Sequence, residues 1–273
     1  MNEPATRDAT AEIDELIRRS NTLGADPRVT NYGGGNTSCK VSTTDPASGE
    51  PTEVLYVKGS GGDLGTLTAD GLASLRLDRV RGLERVYRGA DHEDEMAGLL
   101  EHCAFGAGGA APSIDTAMHA LLPAPHVDHL HPDAVIALAA AADGEALTKE
   151  CFGRELAWVP WRRPGYELGR QIAALPRDNP GLRGVVLGGH GLTTWGETSD
   201  ECQAISLEAI RRAERFIERR GRPEPFGATR DGFEPLPAPE RHRLAGDLAP
   251  HIRGLCSTDR RVVGRFVDTD PVL

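Results

Sequence analysis

His126-Val127-Asp128-His129-Leu130-His131-Pro132 is the stretch from which the rest of the chain can be read. Residues 127–131 are short, apolar-edged and followed by a proline that suits the first position of a helix. They predict a β-strand running into a helix over 132–142. Side chains two apart on a strand share a face, so His129 and His131 project side by side. Far downstream, Gly189-His190-Gly191 follows the apolar run Val185-Val186-Leu187, at a strand end where glycines let the backbone bend. A third imidazole from His190 would complete three protein ligands and leave one coordination position open. That is the arrangement of a catalytic rather than a structural zinc site. Asp115, which closes Pro112-Ser113-Ile114-Asp115, adds a carboxylate. A metal with a carboxylate nearby suits proton abstraction next to a carbonyl.

Two glycine-rich stretches lie upstream. Asn31-Tyr32-Gly33-Gly34-Gly35-Asn36-Thr37-Ser38 cannot be a helix interior and reads as a loop whose backbone approaches a ligand closely. Lys58-Gly59-Ser60-Gly61-Gly62 ends a strand over 54–57 and gathers a cation, a hydroxyl and bare backbone N–H groups, a set that suits an oxyanion. It is not a P-loop, because the Gly-Lys-Ser/Thr order is missing. Ser113 stands where a helix N-cap over 114–122 would be. It can cap the helix or face an anion, since helix N-termini serve both purposes. Asp115 suits the helix dipole in either case. His119 lies one turn further on the same face, where packing is the plainer reading.

The surrounding pattern alternates. Residues 8–22, 70–89, 91–105, 166–175 and 240–253 read as helices, and 39–42, 156–161, 185–187 and 192–195 as strands. Thr198-Ser199-Asp200-Glu201 is a capping box opening a long helix to about residue 220, whose arginines and glutamates form a solvated face. Residues 221–239 are a Pro/Gly-rich linker. Short strands with helices between and around them point to an α/β or α+β sandwich, a mixed sheet covered by helices. The glycine spacings do not support a dinucleotide fingerprint.

At 273 residues, 39% hydrophobic and 26% charged, the chain has ordinary globular composition and enough length for a sizeable core. A formal net charge of −10 argues against a general nucleic-acid or anionic-membrane binder, though it leaves room for a local basic pocket. No apolar run approaches a membrane span, and the N-terminus lacks a signal-peptide core. Cys39, Cys103, Cys151, Cys202 and Cys256 are odd in number and widely spaced, as expected of free thiols in a reducing cytoplasm. Cys39 reads as a small buried filler beside the first glycine loop.

Taken together, Gly35-Asn36-Thr37-Ser38, Val57-Lys58-Gly59-Ser60-Gly61-Gly62, Pro112-Ser113-Ile114-Asp115, His129-x-His131 and Gly189-His190-Gly191-Leu192 resemble the class II aldolase/adducin family, in its order and at compatible spacings. The resemblance spans about residues 8–220. The combination is specific where no single motif is. Asp63-Leu64-Gly65-Thr66-Leu67, the stretch His126–Val135 and Ser257-Thr258-Asp259-Arg260 with Phe266-Val267-Asp268-Thr269 look most like the aldolase half of bifunctional rhamnulose-1-phosphate aldolase/short-chain dehydrogenase proteins.

The resemblance implies a three-layer sandwich with a mostly antiparallel central sheet, and a Zn2+ or other divalent ion on His129, His131 and His190. It implies substrate phosphate held by Asn36, Ser60, Gly61 and Ser113, with Lys58 adding charge, and proton transfer at the nucleophilic carbon by Asp115. The implied reaction cleaves a ketose 1-phosphate, rhamnulose 1-phosphate first, to dihydroxyacetone phosphate and lactaldehyde. The implied partners are a small sugar phosphate and further copies of the chain in a homotetramer, with neither nucleic acid nor membrane. Residues 1–220 would be the catalytic domain, and 221–273 a linker and helical extension that continues in the bifunctional relatives into a dehydrogenase.

Two departures at the site bear on this reading. Simple aldolases of the family carry Glu where this chain has Asp115, one methylene shorter. Ser-x-Asp-Thr-x-x-His is closer to the ribulose-phosphate 4-epimerase branch, although the bifunctional relatives share the Asp. Trp161 stands near where family members often use an aromatic hydroxyl, which leaves Tyr166 as a substitute. The alternatives are therefore a sugar-phosphate 4-epimerase on the same site and a non-catalytic adducin-like module.

Overall fold

The computed structural model describes residues 9–31, 33–106, 109–222, 232 and 236–268. The chain divides into two compact units, Met1–Arg220 and Gly221–Leu273.

The first unit opens with helix α1, Ala9–Gly24, whose stripe Leu16 and Leu23 is fully buried. Strands β1 (Asn36–Thr44) and β2 (Pro51–Lys58) form an antiparallel hairpin, in register from Ser38 opposite Val57 to Thr44 opposite Pro51. Strand β3 (Leu72–Arg76) follows, then α2 (Leu77–Gly82), α3 (Glu93–Glu101) and α4 (Thr116–Leu121). The signature stretch forms β4 (His126–Leu130), followed by α5 (Asp133–Ala139), α6 (Gly144–Phe152), β5 (Leu156–Val159) and α7 (Tyr166–Asp178). Strands β6 (Gly184–Leu187) and β7 (Gly191–Gly196) precede the long helix α8 (Ser199–Arg220).

The strands make one seven-stranded sheet, ordered β3-β2-β1-β4-β7-β6-β5. Every described neighbour pair is antiparallel except β5–β6. Strand alternation splits the core into two layers. On one face Leu130, Leu192 and Val186 pack with Val135, Phe152 and Ile210, under α1, α5, α6 and α8. On the other, Val127, Val185 and Trp195 pack with Met118 and Ile172 of α4 and α7, while Leu55, Val57 and Leu75 pack with α2 and α3. The expected sandwich of helices over a mixed, mostly antiparallel sheet is what forms.

Boundaries differ where local pattern and tertiary pairing compete. Strand β1 begins at Asn36, inside the stretch read as a glycine loop, because Asn36 and Thr37 pair with His129 and Asp128 of β4. The span 70–89 is not one helix. Residues 72–76 pair with β2 as the edge strand β3, and only six residues of α2 follow. Helix α6 was not legible, and His131 lies one residue past β4. Helix α4 starts at Thr116, so Ser113 is not its N-cap. The box at α8 forms in modified shape: Thr198 Oγ1 accepts from the Glu201 N–H at 3.1 Å, while Glu201 accepts from the N–H of Glu197, one residue before the box.

The second unit contains helix α9 (Ala238–Cys256). Most of the expected linker 221–239 lies outside the described residues, as do Asp8, Tyr32 and Thr269. Among the described residues no helix is long and apolar enough to cross a membrane.

Candidate metal centre

The antiparallel order brings six strand ends to one edge of the sheet. The start of β1 (Asn36) lies against His129 of β4, and the end of β2 (Lys58) lies next to it. The end of β4 faces the start of β7, Leu130 opposite Leu192. The end of β6 faces the same start, Leu187 opposite Gly191, and the end of β5 runs beside it. Residues separated by more than a hundred positions therefore meet along one short line.

At its centre stand His129, His131 and His190, whose candidate ligand nitrogens all lie within 4.8 Å of one another. Ring centroids are 4.9 Å apart for His129–His131, 4.8 Å for His129–His190 and 5.1 Å for His131–His190. His129 Nε2 and His131 Nε2 face each other at 3.1 Å. Two imidazole ligands at about 2.0–2.1 Å from a tetrahedral ion would be roughly 3.3 Å apart, so the pair already has the spacing of a shared ion. Burial, with the neighbouring His190 and His131 adding to it, holds the His129 imidazolium well below its ordinary range. Burial and then His131 bring His190 down to about 4, and burial and Lys58 lower His131. All three rings are thus neutral at neutral pH and present lone pairs. Three neutral nitrogens, with no fourth protein ligand among the described residues, fit a divalent cation.

The glycines at the site are spatial requirements. Gly189 has φ +63°, and its N–H donates to Ala139 O at 2.8 Å. A Cβ on Gly191 would stand 2.5 Å from Leu130 O and 3.0 Å from His131 Cδ2. A Cβ on Gly34 would stand 2.8 Å from His131 Nδ1.

Beside the triad, the buried Asn36 donates through Nδ2 to Ser113 Oγ at 3.2 Å and to Lys58 O at 3.4 Å. Lys58 is 1% exposed, and its Nζ donates to Gly59 O at 3.2 Å. Burial lowers its pKa, against the pull of Asp63 and Asp115. Asp115 is half-buried and does not cap α4 through its side chain. Burial pushes its carboxyl up to about 6, against the pull of Lys58. The ammonium of Lys58 thus acts on both Asp115 and His131. Ser60 and Gly61 form the exposed turn after β2, with Gly61 at φ +79°. Not all the N–H groups of that turn are bare. Gly59 donates to Gly71 O and Ser60 to Ala111 O, both at 2.9 Å, so Ser60 can offer only its hydroxyl.

Other residues singled out in the sequence have different settings. Cys39 is fully buried, and burial pushes its thiol up to about 12. His119 is buried and neutral, 2.7 Å from Ser38 Oγ through Nδ1. Tyr166 packs at a tilt against Tyr87, ring centroids 5.1 Å apart, in a cluster with Met96 and Ala117, so its ring is spent on packing, and among the described residues its buried hydroxyl meets no hydrogen-bond partner. Trp161 is 69% exposed and lies over Gly188 and Gly189, next to His190.

Two supporting features escaped the sequence reading. Thr193 sits directly opposite His129 on β7, and its Oγ1 is 3.1 Å from His129 Nδ1. On the far face of β4, Arg19 of α1 and Asp128 form a wholly buried ion pair at 2.9 Å. Strand register creates the first contact and packing of α1 on the sheet the second, and neither has a local signal. Strand alternation puts Asp128 on the face away from His129.

The family model described as "Class II Aldolase and Adducin N-terminal domain" matches residues 14–216. The chain is 40% identical over 262 residues to "Uncharacterized oxidoreductase YuxG" of Bacillus subtilis (strain 168), covering 96% of this chain and 37% of that protein. It therefore spans little more than a third of the length of this curated relative. Among solved structures it is similar to the N-terminal class II aldolase domain of a conserved protein from Thermoplasma acidophilum, at 30% identity and a TM-score of 0.69, covering 80% of this chain and 97% of that one. An L-fuculose 1-phosphate aldolase shares the fold at 16% identity and a TM-score of 0.53, covering 90% of this chain and 100% of that one.

Proposed function

This chain belongs to the class II aldolase and adducin family, and from that premise we propose that it is a metal-dependent aldehyde-lyase. Its substrate is a ketose 1-phosphate, rhamnulose 1-phosphate first, cleaved to dihydroxyacetone phosphate and lactaldehyde. The observation that carries the reading is the meeting of three neutral imidazoles at one sheet edge, where the next two strands begin at Asn36 and end at Lys58.

In this reading His129, His131 and His190 hold the ion, zinc first. A divalent ion there would supply Lewis-acid polarisation of the ketose carbonyl. Lys58, Asn36, Ser113, Ser60 and Gly61 bind the phosphate. Asn36 is orientated for this by its bond to Ser113, and Lys58 brings a positive charge whose burial strengthens its field. Asp115 handles the proton at C3: as the C3–C4 bond breaks, its electron pair stays on C3, the C4 hydroxyl gives its proton to water as the aldehyde forms, and the Asp115 carboxyl delivers a proton to C3 and is reprotonated from water. A carboxyl near pKa 6 exchanges protons readily at neutral pH, which suits it to work in either direction.

The fuculose-phosphate aldolase supports a ketose 1-phosphate as the substrate class. The same reading gives a homotetramer in the cytoplasm, serving rhamnose catabolism, with residues 1–220 as the catalytic domain. The oxidoreductase activity in the Bacillus relative's name is not proposed for these residues, whose glycine loops lack a dinucleotide fingerprint. One observation favours a second reading: the shorter acid, Asp115, matches a ribulose-phosphate 4-epimerase that breaks and re-forms the same kind of bond.

Incubation with rhamnulose 1-phosphate and, separately, ribulose 5-phosphate tests both. Dihydroxyacetone phosphate released only from the first supports the aldolase; a C4 epimer formed from the second replaces it. Absence of stoichiometric zinc in the purified chain, with no change on replacing His129 or His190, would leave only a binding module.

A further inference from the structure

We infer that Thr193 is a positioning residue for the metal-binding nitrogen of His129, with its hydroxyl proton directed away by Met118. The inference rests on the metal-centre reading above.

Leu192 O can only accept, and it lies 3.2 Å from His129 Nδ1, so that nitrogen carries the ring proton. Thr193 Oγ1 lies 3.1 Å from the same nitrogen. The hydroxyl has one proton, and Thr193 Oγ1 donates it to Met118 Sδ at 3.4 Å. The hydroxyl oxygen is thereby left as the second acceptor for Nδ1–H. Had the proton pointed at the ring, two donors would oppose each other in a site fully closed to water, where Thr193 and His129 are both 0% exposed. The sequence of bonds is thus Nδ1–H to Oγ1, and Oγ1–H to sulfur. It leaves the lone pair of Nε2 aimed at His131 Nε2, 3.1 Å away.

The placement is inherited from the sheet. His129 and Thr193 are direct cross-strand partners, so their side chains leave the same face only a few ångströms apart. Met118 reaches that face from α4. His129 also differs from the other two rings. Among the described residues, neither His131 nor His190 has a hydrogen bond on its outer ring nitrogen. A hydrogen-bond acceptor behind a metal-ligating histidine fixes its tautomer and orientation and raises its basicity. Loss of such partners typically weakens metal binding by about 10–100-fold.

Two substitutions separate positioning from packing. Thr193→Val keeps the shape and removes the hydroxyl; Thr193→Ser keeps the hydroxyl and removes a buried methyl. A positioning role predicts a zinc Kd about tenfold weaker in Thr193→Val, the low end of that range because Leu192 O remains, and nearly unchanged in Thr193→Ser. The metal-free melting temperature should move more in the serine variant. Met118→Leu, which leaves Thr193 in place but frees its proton, should weaken zinc several-fold and covers the case in which a Thr193 variant fails to fold. The chelator competition is paired with imidazole 15N–1H spectra of the metal-free proteins. There the His129 Nδ1–H resonance should shift in Thr193→Val and stay in Thr193→Ser. An unchanged Kd and resonance in Thr193→Val, or equal losses in both variants, overturns the inference. If the wild type binds no zinc, the metal-centre reading fails, and the resonance alone decides whether Thr193 orients the ring.

Discussion

Replacing Arg19 by methionine should be among the most destabilising single changes in the first unit. Arg19 and Asp128 are both 0% exposed and paired at 2.9 Å between α1 and β4. The guanidinium also donates to Ser38 O at 2.9 Å and Ser199 Oγ at 2.8 Å, and lies 3.2 Å from His126 Nδ1. Burial is the largest single influence and opposes its charge, but Asp128, with smaller contributions from Cys202 and Cys39, holds the guanidinium above its ordinary range. Methionine fills much of the volume but leaves the Asp128 carboxylate in the core with Ser206 Oγ, at 2.9 Å, and the buried Cys202 beside it. Removing one member of a buried pair costs about 3–5 kcal/mol. For a unit of this size that corresponds to a melting midpoint lower by about 10 °C. The same principle makes a second claim: removing both charges is often close to neutral, so Arg19→Met with Asp128→Leu should recover most of the loss. Urea titrations of the metal-free wild type, both single variants and the double variant close the cycle. A loss under about 1 kcal/mol for Arg19→Met, or a double variant no more stable than it, would refute the reasoning.

In metal-free protein the raised pKa of Asp115, about 6 against 3.8, means that the folded state holds this proton more tightly than the unfolded one. Stability therefore falls as pH rises from about 4 to 6, and Asp115→Asn should raise stability at neutral pH by up to about 3 kcal/mol. Urea midpoints across that pH range check the sign, and the same variant should keep zinc while losing turnover. Gly191→Ala should lower zinc occupancy, read by metal analysis, because its Cβ would press on Leu130 O and His131. The Glu93 carboxylate, buried on α3, accepts the backbone N–H groups of Tyr166 and Glu167 at the start of α7. Glu93→Ala should cost about 1–3 kcal/mol in a thermal melt, with no change in zinc content.

The meeting of the three histidines was legible because histidine is scarce and these three are tellingly spaced. His129, His131 and His190 converge as their spacing and glycine flanks implied. The supports were not legible. Asn36 looked like a loop residue since three glycines precede it, and only pairing with β4 makes it a strand residue. The edge strand β3 was hidden because Leu72-Ala73-Ser74-Leu75 carries no strong strand formers and fits a helical stripe as well as an alternation. Its pairing with Val54–Lys58 decides the matter. Tyr166 looked like a spare hydroxyl and is instead a core ring, because its position at the start of α7 points it at Tyr87. Each miss is a case of tertiary pairing outweighing a local pattern.

The two faces of β4 have divided duties, and this ties the stability predictions to the site. Of the three histidines only His129 lies within a strand; His131 follows β4, and His190 sits in the turn between β6 and β7. A side chain on a paired strand is held more tightly than one on a loop, so His129 is the fixed member to which the other two must fit. Its own face gives it Thr193 and Leu192 O. The opposite face anchors the strand through Asp128 to Arg19 and Ser206, and so to α1 and α8. A defect on that far face should therefore reach the metal by shifting the strand. The double variant Arg19→Met with Asp128→Leu separates the two effects. If it restores stability but not zinc affinity, the buried charges hold the position of β4. If it restores both, they contribute to folding alone.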